Sequence, residues 1–397
     1  MKRKRPLLLL FGAISLPCAA YADTPMELLI VTPTRMLQPL DQTIADTTVL
    51  DEQDIRNSGA PDVPTLLRSL PGVEVVQAGG LGSVSSTFMR GTNSDQVLVL
   101  LDGVRINSAT AGTTALEHIM LDNVERIEVV RGNVSSLYGS EAIGGVIQIF
   151  TKHGQGAPAV NASAGVGSHG TQRLTAGYSG EVNDTSFSVN AGKIRTDGVS
   201  AINPQLAPNA NPNNNGYDND TFDAQVKHAL NADHSLSASV FSTRGNISFD
   251  NAFGLPTDVN NMIQNIDKLS LASDDQLSGI WHSTVRLAQG IDDSHTYLNG
   301  VQQSRLQTQS SQLAWQNNFK FEGDQLVSLS VEYLAQDVTA DTTPYTLTER
   351  NVTSLLGSYT GNYGPHQMQI NGRQDRYSDF GTINTGLFGY GLSFANS

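Results

Sequence analysis

The sequence predicts a small α+β domain that lies inside a transmembrane antiparallel β-barrel. Three observations predict it: an export leader at the N-terminus, mixed helix and strand patterns up to Lys152, and a different texture beyond that residue. From there, segments of about ten residues alternate apolar and polar side chains, which is typical of outer-membrane strands. A soluble β-sandwich, whose strands also alternate, is the alternative.

Residues 1–22 are predicted to be a signal peptide that is removed after Sec-type export. MKRKRP is basic, LLLLFGAISL is apolar but too short to span a membrane, and Ala20-Tyr21-Ala22 supplies a small-x-small cleavage site. Cys18, the only cysteine, lies inside this leader. The mature chain would therefore have no disulfide, no cysteine nucleophile and no thiolate metal site.

The mature chain is expected to be strongly acidic. Removing the leader leaves 20 basic residues against 38 acidic ones, a net charge of −18. Nucleic-acid binding needs a basic face, so a nucleic-acid partner is not expected. An acidic surface is compatible with divalent cations.

The first part of the mature chain shows both helical and strand patterns. Asp51 is placed to cap a helical turn in EQDIRNSG, and APDVPTLLRSLPG puts Leu66, Leu67 and Leu70 on one helical face. The predicted strands are DTTVLD (46–51), VEVVQ (73–77), STFMRG (86–91) and QVLVLLDGV (96–104).

The stretch ERIEVVRGNVSSLYGSEAIGGVIQIFTK, residues 125–152, is predicted to be two strands around a glycine-containing turn. Its glycines could cradle a phosphate or only let the backbone turn. No G-x-x-x-x-G-K-[ST] motif is present, so a P-loop is not supported. GVGSHG (165–170) fits G-x-G-x-x-G, but no helix follows it, so a dinucleotide site is not expected.

The later part of the chain is predicted to form barrel strands. SLSVEYLA, LAWQNNFKF and LFGYGLSF each place apolar side chains on one face. The loops are unequal, since residues 196–220 are long and NADH (231–234) is tight, as for outside loops and periplasmic turns. We count about twelve such segments. Outer-membrane barrels usually end on an aromatic residue at the close of the last strand, and none is there, so we expect either a small barrel or a C-terminally incomplete one.

Three motifs in this order resemble the TonB-dependent outer-membrane receptors: LRSLPGVEV (67–75), FMRGTNSDQVLVLLDGVRIN (88–107) and residues 125–152. LIVTPTR, SVSSTFMRGTN and an aspartate-rich first long loop are similar to the members that take up cobalamin. The resemblance implies a plug domain at 37–152 within a barrel of about twenty-two strands, of which 153–397 would be the N-terminal part. The plug glycines would then serve tight turns and close packing.

The resemblance also implies a segment that couples the receptor to the periplasmic TonB protein, within residues 23–36. An extended segment near a free terminus can add as a strand to the edge of a partner's sheet. A disordered tail is the alternative. The family's coupling segment falls on Glu27, Leu28, Leu29, Ile30, Val31, Thr32 and Pro33.

Ligand contacts of the family's plug carry over to two apical loops, and loops above a rigid scaffold are a usual place for recognition. Simple loop tips are the alternative. The plug arginines Arg90 and Arg131 would pair with carboxylates of the barrel wall, or lie solvated at strand ends. The implied substrate-binding residues are Val84, Ser86, Asn93, Ala111 and Gly112.

A structural calcium site is the remaining implication. The matching loop acids are Asp218 and Asp220 in GYDNDTF, Asp250 in SFDN and Asp258 in LPTD, while a fifth position holds Ser200. Carboxylate oxygens suit calcium, which takes six to eight oxygen ligands. Ordinary solvated loop acids are the alternative.

The sequence does not support an enzyme: it has neither H-E-x-x-H nor G-x-S-x-G, and the mature chain would have no cysteine. We expect a monomeric, TonB-dependent receptor that transports cobalamin across the outer membrane of a Gram-negative bacterium into the periplasm. One alternative is an iron–siderophore receptor. Another is a truncated fragment that does not transport and serves only as a decoy or as a ligand for a phage or bacteriocin.

Overall fold

A computed structural model describes residues 29–31, 37–39, 43–203, 205–208, 210–323 and 325–393. In this part of the chain a small mixed domain, the plug, is followed by one large antiparallel sheet. Of the helices described there, none is long and apolar enough to cross a membrane.

The plug consists of short strands and three short helices. Its central sheet has five strands in the order β3-β8-β9-β6-β7, while β1 pairs with β2 and β4 pairs with β5. The elements are β1 (Leu29–Val31), β2 (Leu37–Pro39), β3 (Asp46–Leu50), α1 (Glu52–Ser58), α2 (Val63–Arg68), β4 (Val73–Gln77), β5 (Ser85–Met89), β6 (Val97–Leu101), β7 (Val104–Arg105), β8 (Val124–Arg131), α3 (Ser135–Tyr138) and β9 (Gly145–Thr151).

The helix signals in the plug are confirmed. The Asp54 backbone N–H donates to Asp51 Oδ1 at 2.8 Å and the Asp51 N–H donates to Asp54 Oδ2 at 3.3 Å, so α1 begins with a capping box. Leu66 and Leu67 are buried in the plug core, and Leu70 packs against that core. The apolar face of the second helix therefore anchors it to the sheet.

Two details of the plug differ from the predictions. The strand predicted for 86–91 ends at Met89, because Arg90 (φ 50°) and Gly91 (φ 77°) form a left-handed turn. The turn in residues 125–152 also contains the helix α3, which the sequence pattern did not indicate.

The glycines of that turn serve close packing. A Cβ on Gly144 would lie 2.1 Å from Thr92 Oγ1, and one on Gly145 would lie 2.2 Å from Met89 Sδ. No side chain fits at such distances, so this result favours the packing interpretation of these glycines.

Twelve strands of the described chain form the barrel wall, as the sequence count predicted. Each pairs with its sequence neighbour, and β10 and β21 do not pair within the described part, so the barrel is open there. The sheet contacts the plug through strands at both ends and in its middle. The strands are β10 (Ala159–Val166), β11 (Gln172–Val182), β12 (Thr185–Val199), β13 (Asn215–Ala229), β14 (His234–Phe249), β15 (Asn260–Ser278), β16 (Trp281–Leu298), β17 (Val301–Phe321), β18 (Gln325–Ala340), β19 (Glu349–Tyr363), β20 (His366–Tyr377) and β21 (Gly381–Leu392).

The connections at the two ends of the barrel differ in length, as predicted. Connections at the short-turn end, such as 183–184 and 230–233, have two to four residues. The long-loop end carries 200–214, 250–259 and 341–348, together with the short connections 299–300 and 378–380. Residues 196–199 and 215–220, which the sequence assigned to the first long loop, instead belong to β12 and β13.

The apolar side chains of the barrel strands point outward. Leu313, Trp315, Leu329, Val331, Tyr333, Phe388 and Tyr390 are all exposed. The intervening positions Ser328 and Ser330 are buried on the plug side. A sandwich would bury its apolar face against a second layer, so the sandwich alternative is wrong.

Candidate functional site: the ligand face and the plug–barrel interface

One plug hairpin reaches the long-loop end of the barrel. Its turn between β4 and β5 packs against β12 and β13: a Cβ on Gly79 would lie 3.4 Å from the Ala201 side chain, and one on Gly82 would lie 2.2 Å from the ring of Tyr217. Val84 follows this turn and is exposed. Ser86 lies within β5, where it pairs with Val76 and is half-buried.

A second plug loop lies at the same end. The Ala109 N–H donates to Thr308 Oγ1 in β17 at 3.0 Å, which fixes the loop to the wall. A Cβ on Gly112 would lie 2.7 Å from Asp95 Cβ, so this loop packs against the turn that begins at Asn93. Asn93 and Ala111 are exposed. The structure therefore brings Asn93, Ala111 and Gly112 to one place and leaves Val84 on a separate hairpin.

Asp218 and Asp220, two of the four predicted calcium ligands, lie on the outward face of β13. The Lys193 ammonium on β12 binds both: its Nζ lies 3.0 Å from Asp218 Oδ1 and 2.9 Å from Asp220 Oδ1. The lumen face of the same strand carries Tyr217 and Asn219, which are buried. The run GYDNDTF is therefore a strand with acids on one face.

Asp250 and Asp258 lie in a different place, within the loop between β14 and β15. Asp250 Oδ2 accepts hydrogen bonds from Ser200 Oγ at 3.0 Å, the Ala201 N–H at 2.9 Å and Asn215 Nδ2 at 2.9 Å. Asp258 Oδ2 accepts from the Leu255 N–H at 2.7 Å. These contacts tie the first two long loops together.

The four aspartates do not form one ligand set. In the part of the chain that the structure describes, no three His, Cys, Asp or Glu side chains are placed to hold a metal ion. The carboxylates of Asp218 and Asp220 are of the kind that binds a hard cation such as calcium, but both accept hydrogen bonds from the Lys193 ammonium group. Calcium stays a prediction that would require the loops to rearrange.

A buried polar cluster joins the plug to β13 and β14. Ser85 Oγ donates to Glu117 Oε2 at 2.5 Å inside the plug. His118 stacks on Tyr217, with 3.0 Å between His118 Nδ1 and the Tyr217 hydroxyl. The His118 carbonyl accepts from Thr243 Oγ1 at 2.9 Å.

Burial shifts the protonation of both titratable groups of the plug in this cluster. It raises the pKa of the Glu117 carboxyl to about 8, against the opposing hydrogen bond from Ser85. It lowers the pKa of the His118 imidazole to about 3. Both side chains are therefore neutral near pH 7, which lets the plug bury them against the wall without a charge partner.

The lumen face of the wall binds the plug through polar contacts as well as apolar ones, in which Phe241 and Ile266 join the plug core. The buried Lys268 of β15 forms an ion pair with Asp102 at the plug turn after β6, and Asp102 also accepts from the Thr151 N–H at 2.8 Å. Asn123 Nδ2 donates to Asp223 Oδ1 at 2.6 Å. Sequence reasoning missed these residues. One signal in the sequence could have found Lys268. It alternates with Ile266 and Ser270 on the lumen-facing side of β15, where a lysine needs an acidic partner.

The two plug arginines bind inside the plug. Arg90 Nη2 lies 2.5 Å from Asp46 Oδ2, and Arg131 Nη1 lies 3.3 Å from Asp46 Oδ1 and 2.8 Å from Thr48 Oγ1. The expected pairing with carboxylates of the barrel wall is therefore absent among the described residues. Both arginines pair instead with Asp46, on the edge strand β3 of the plug.

A cavity of about 750 Å³ separates part of the plug from the wall. Its lining includes Tyr138 and Arg105 of the plug and Arg286 and Arg373 of the wall. Arg373 Nη1 donates to the Leu137 carbonyl at 3.2 Å, so this side of the plug is also held by hydrogen bonds. On this side the interface is thus incompletely packed.

The predicted coupling segment is described only in part. Leu29, Ile30 and Val31 form β1, which pairs antiparallel with β2, while Glu27, Leu28, Thr32 and Pro33 lie outside the described residues. Farther along the chain, Ile44 packs against β21, within 3.3 Å of a Cβ built on Gly389 and 3.6 Å of one on Gly391. The chain therefore enters the plug near the short-turn end.

A family model described as the TonB-dependent receptor plug domain matches residues 39–146. Residues 39–146 are a TonB-dependent receptor plug domain. The chain is 29% identical over 388 residues to the vitamin B12 transporter BtuB of Photobacterium profundum, covering 96% of this chain and 62% of that protein. It is 38% identical over 231 residues to BtuB of Vibrio cholerae, covering 58% of this chain and 38% of the relative.

Solved structures of TonB-dependent receptors share the fold of both regions. A ferric enterobactin receptor mutant (PfeA) of Pseudomonas aeruginosa superposes with a TM-score of 0.73 at 17% identity, covering 90% of this chain and 60% of that one. FpvA of the same organism, bound to a pyoverdine–iron complex, gives 0.70 at 15% identity, with 91% and 56% covered. The resemblance to TonB-dependent receptors, most like BtuB, is confirmed. The chain spans about 60% of the length of these proteins or less.

Proposed function

We propose that this chain serves a TonB-dependent outer-membrane receptor for the active uptake of cobalamin into the periplasm. One observation carries the proposal: two plug loops present Val84, Asn93 and Ala111 at the long-loop end, in a chain similar to vitamin B12 transporters. In this proposal the long loops face the outside and the short turns face the periplasm. Export through a Sec-type leader and monomeric assembly belong to the same proposal.

Cobalamin binding to the folded full chain tests the proposal directly. Cyanocobalamin is expected to bind saturably, and Val84→Asp is expected to weaken it by about tenfold or more, because a charge is placed against an uncharged contact surface. Val182→Asp, also exposed but beside the short turn 183–184 at the other end of the wall, is the matched control and should change the affinity by less than about twofold.

Ferric siderophores are the competing ligands in the same assay. The iron–siderophore alternative shares the plug and barrel, and the solved relatives that bind siderophores support the fold without supporting the ligand. Tighter binding of a ferric siderophore than of cyanocobalamin would reject the cobalamin proposal. Repeating the cobalamin titration with a chelator tests the calcium prediction, which an unchanged affinity would contradict.

The coupling partner in this proposal is the TonB protein. Within the described residues β1 pairs with β2 along one edge, and its other edge would offer backbone groups for strand addition. The packing of Ile44 near the short-turn end supports this contact, because the proposal has the short turns face the periplasm. Site-specific crosslinking from Ile30 to the periplasmic domain of TonB would test the contact, and its failure with ligand present would argue against it.

A further inference from the structure

An arginine without an acidic partner lines the cavity between the plug and the wall. Arg286 lies on the lumen face of β16, and it makes no hydrogen bond or ion pair with any residue that the structure describes. The other arginines that line the cavity are each held by acids: Arg105 by Glu141, Arg126 by Glu128, Arg350 by Asp379, and Arg373 by Glu332 and Asp375.

The fold leaves open space beside the guanidinium group of Arg286. The register places Ala272 of β15 and Ala314 of β17 on either side of Arg286, and both alanines line the cavity. On the plug side, Gly103 lies against Arg286 Nη1 and leaves no room there for a Cβ atom. With small residues on three sides, the guanidinium group faces the cavity of about 750 Å³.

The acids nearest to Arg286 hold other partners. Asp102 and Asp274 both attract its charge, but Asp102 pairs with Lys268, and Asp274 Oδ1 lies 3.0 Å from His282 Nε2. A guanidinium group carries five N–H donors, and donors that face a cavity without an acceptor are costly.

The charge of the cavity lining limits what Arg286 can bind. Six Arg and Lys side chains and six Asp and Glu side chains line the cavity. With the partners Lys268, Glu128 and Asp379 included, there are seven cations and eight acids. The lining has no positive excess, so an anion would be bound by the directed donors of Arg286 and not by net charge. One guanidinium group can balance one negative charge, which excludes ligand groups with two or three.

We propose that Arg286 binds the phosphodiester group of the transported ligand while that ligand lies in the cavity. A charged side chain that faces the interior from a membrane-spanning segment is costly and marks a substrate pathway. Its fork of donors binds two oxygens of one phosphate in parallel. A phosphodiester carries a single negative charge, and cobalamin contains one such group. The inference therefore rests on the proposed function and adds a residue to it.

The position of Arg286 separates this site from the ligand face. Arg286 is five residues from the start of β16 at the short-turn end, whereas Val84, Asn93 and Ala111 lie at the long-loop end. From Arg286 the cavity lining continues to His282 and Lys227. The site would therefore hold the ligand after it has left the long-loop end.

Titration of the full chain in detergent micelles with diethyl phosphate, followed by ³¹P NMR, tests the site apart from the rest of the ligand. The diester is a monoanion at pH 7, and we expect Arg286→Gln to weaken its binding by about tenfold or more, because the charge-assisted pair is lost. Triethyl phosphate has the same shape without the charge, and it should bind the wild type at least about tenfold more weakly than the diester.

Lys227→Gln is the matched control. Lys227 also lines the cavity, but it is exposed near the short-turn end, so this variant removes the same charge from a solvated position. Its affinity for diethyl phosphate should stay within about twofold of the wild type. An equal loss in this control, or an unchanged affinity in Arg286→Gln, would overturn the inference.

Two further variants separate the guanidinium group from the space beside it. Arg286→Lys keeps the charge without the fork, and we expect about a third of the wild-type affinity. Ala314→Leu keeps the arginine and fills the adjacent space, so it should weaken binding by about tenfold. The urea midpoint of each variant shows that it has folded. Full affinity in Ala314→Leu would place the anion elsewhere and overturn the site.

Inorganic phosphate and cyanocobalamin complete the test. Inorganic phosphate carries more than one charge on average at pH 7 and should bind more weakly than the diester, whereas tighter binding would assign the site to free phosphate and overturn the inference. Cyanocobalamin binding is measured on the same samples. Diester binding that depends on Arg286, without any cobalamin binding, would reject the proposed function and leave the site intact. Cobalamin binding without diester binding would reject the site alone.

Discussion

The plug and the barrel wall bury different kinds of side chain. In the plug, Leu67, Ile127 and Ile147 are fully buried against one another in an apolar core. On the wall, buried residues include Ser188, Asn219, Thr221, Thr243 and Ser328 beside a few apolar ones such as Phe241 and Ile266, while most large apolar side chains are exposed. The plug is thus organised like a soluble domain, and the wall has its apolar surface outside.

This difference sets what holds each region together. The plug core is stabilised by removal of apolar surface from water. The plug–wall interface has a few apolar contacts, such as those of Phe241 and Ile266 with the plug core, and many hydrogen bonds. These hydrogen bonds exchange for bonds to water at a net cost of only about 1 kcal/mol each. A plug that shifts within the lumen during the proposed transport would therefore keep its own core intact while exchanging its contacts with the wall.

The largest expected effect breaks the ion pair between the buried Lys268 of the wall and Asp102 of the plug. Lys268→Met leaves the Asp102 carboxylate without its cation, which should lower the free energy of unfolding by about 3–5 kcal/mol. Urea denaturation of the chain in micelles, followed by proteolysis of the released plug, measures it. Lys320→Met, at an exposed position on β17, is the matched control.

The double variant Asp102→Asn/Lys268→Met sharpens that test. Removing both charges removes the uncompensated carboxylate, so part of the lost stability should return. A Lys268 variant as stable as the Lys320 control would show that the ion pair does not hold the plug to the wall.

The second prediction compares two leucines that differ in their surroundings. Leu67→Ala opens a cavity in the plug core and should cost about 3 kcal/mol. Leu313→Ala, on the outward face of β17, removes a side chain that contacts lipid or detergent and should cost about 0.5 kcal/mol or less. Equal losses in the urea midpoint would mean that plug and wall do not unfold as separate regions.

Local signals predicted much of the plug, because its elements follow from nearby residues. The Asp51 cap and the apolar face with Leu66 and Leu67 needed only short-range patterns, and both are confirmed. The twelve alternating segments likewise predicted the strands of the wall. The apolar residues of each segment also predicted which face of the strand points outward.

Contacts between plug and wall could not be predicted, because they depend on how distant strands are aligned. Asp102 and Lys268 are 166 residues apart, and nothing local marks them as partners. Asp218 and Asp220 were predicted wrongly for a related reason. Their run is rich in Asp and Asn, which indicated a loop, but it pairs with β12 and β14 and is therefore a strand. The resemblance supplied candidate ligands, whereas the fold decided which side chains meet.

The third prediction uses pH to separate two groups of the plug that face the wall, and it has the smallest effect. Burial raises the pKa of Glu117 from 4.5 to about 8 and lowers that of His118 from 6.5 to about 3. For Glu117 the folded state binds the extra proton, so stability is lost as the pH rises from 4.5 toward 8. For His118 the unfolded state binds it, so stability is lost as the pH falls from 6.5 toward 3.

The two effects oppose each other between pH 4.5 and 6.5, and only that of Glu117 remains between pH 6.5 and 8. In that upper window the free energy of unfolding should fall by up to about 1.4 kcal/mol per pH unit. Glu117→Gln keeps an acceptor for Ser85 and carries no proton to lose, so its urea midpoint should fall less steeply there than that of the wild type. Glu74→Gln, at an exposed position on β4, should keep the wild-type slope. A slope unchanged by Glu117→Gln would mean that this carboxyl is already ionised when it meets the wall, and the neutral interface inferred around His118 and Tyr217 would then be wrong.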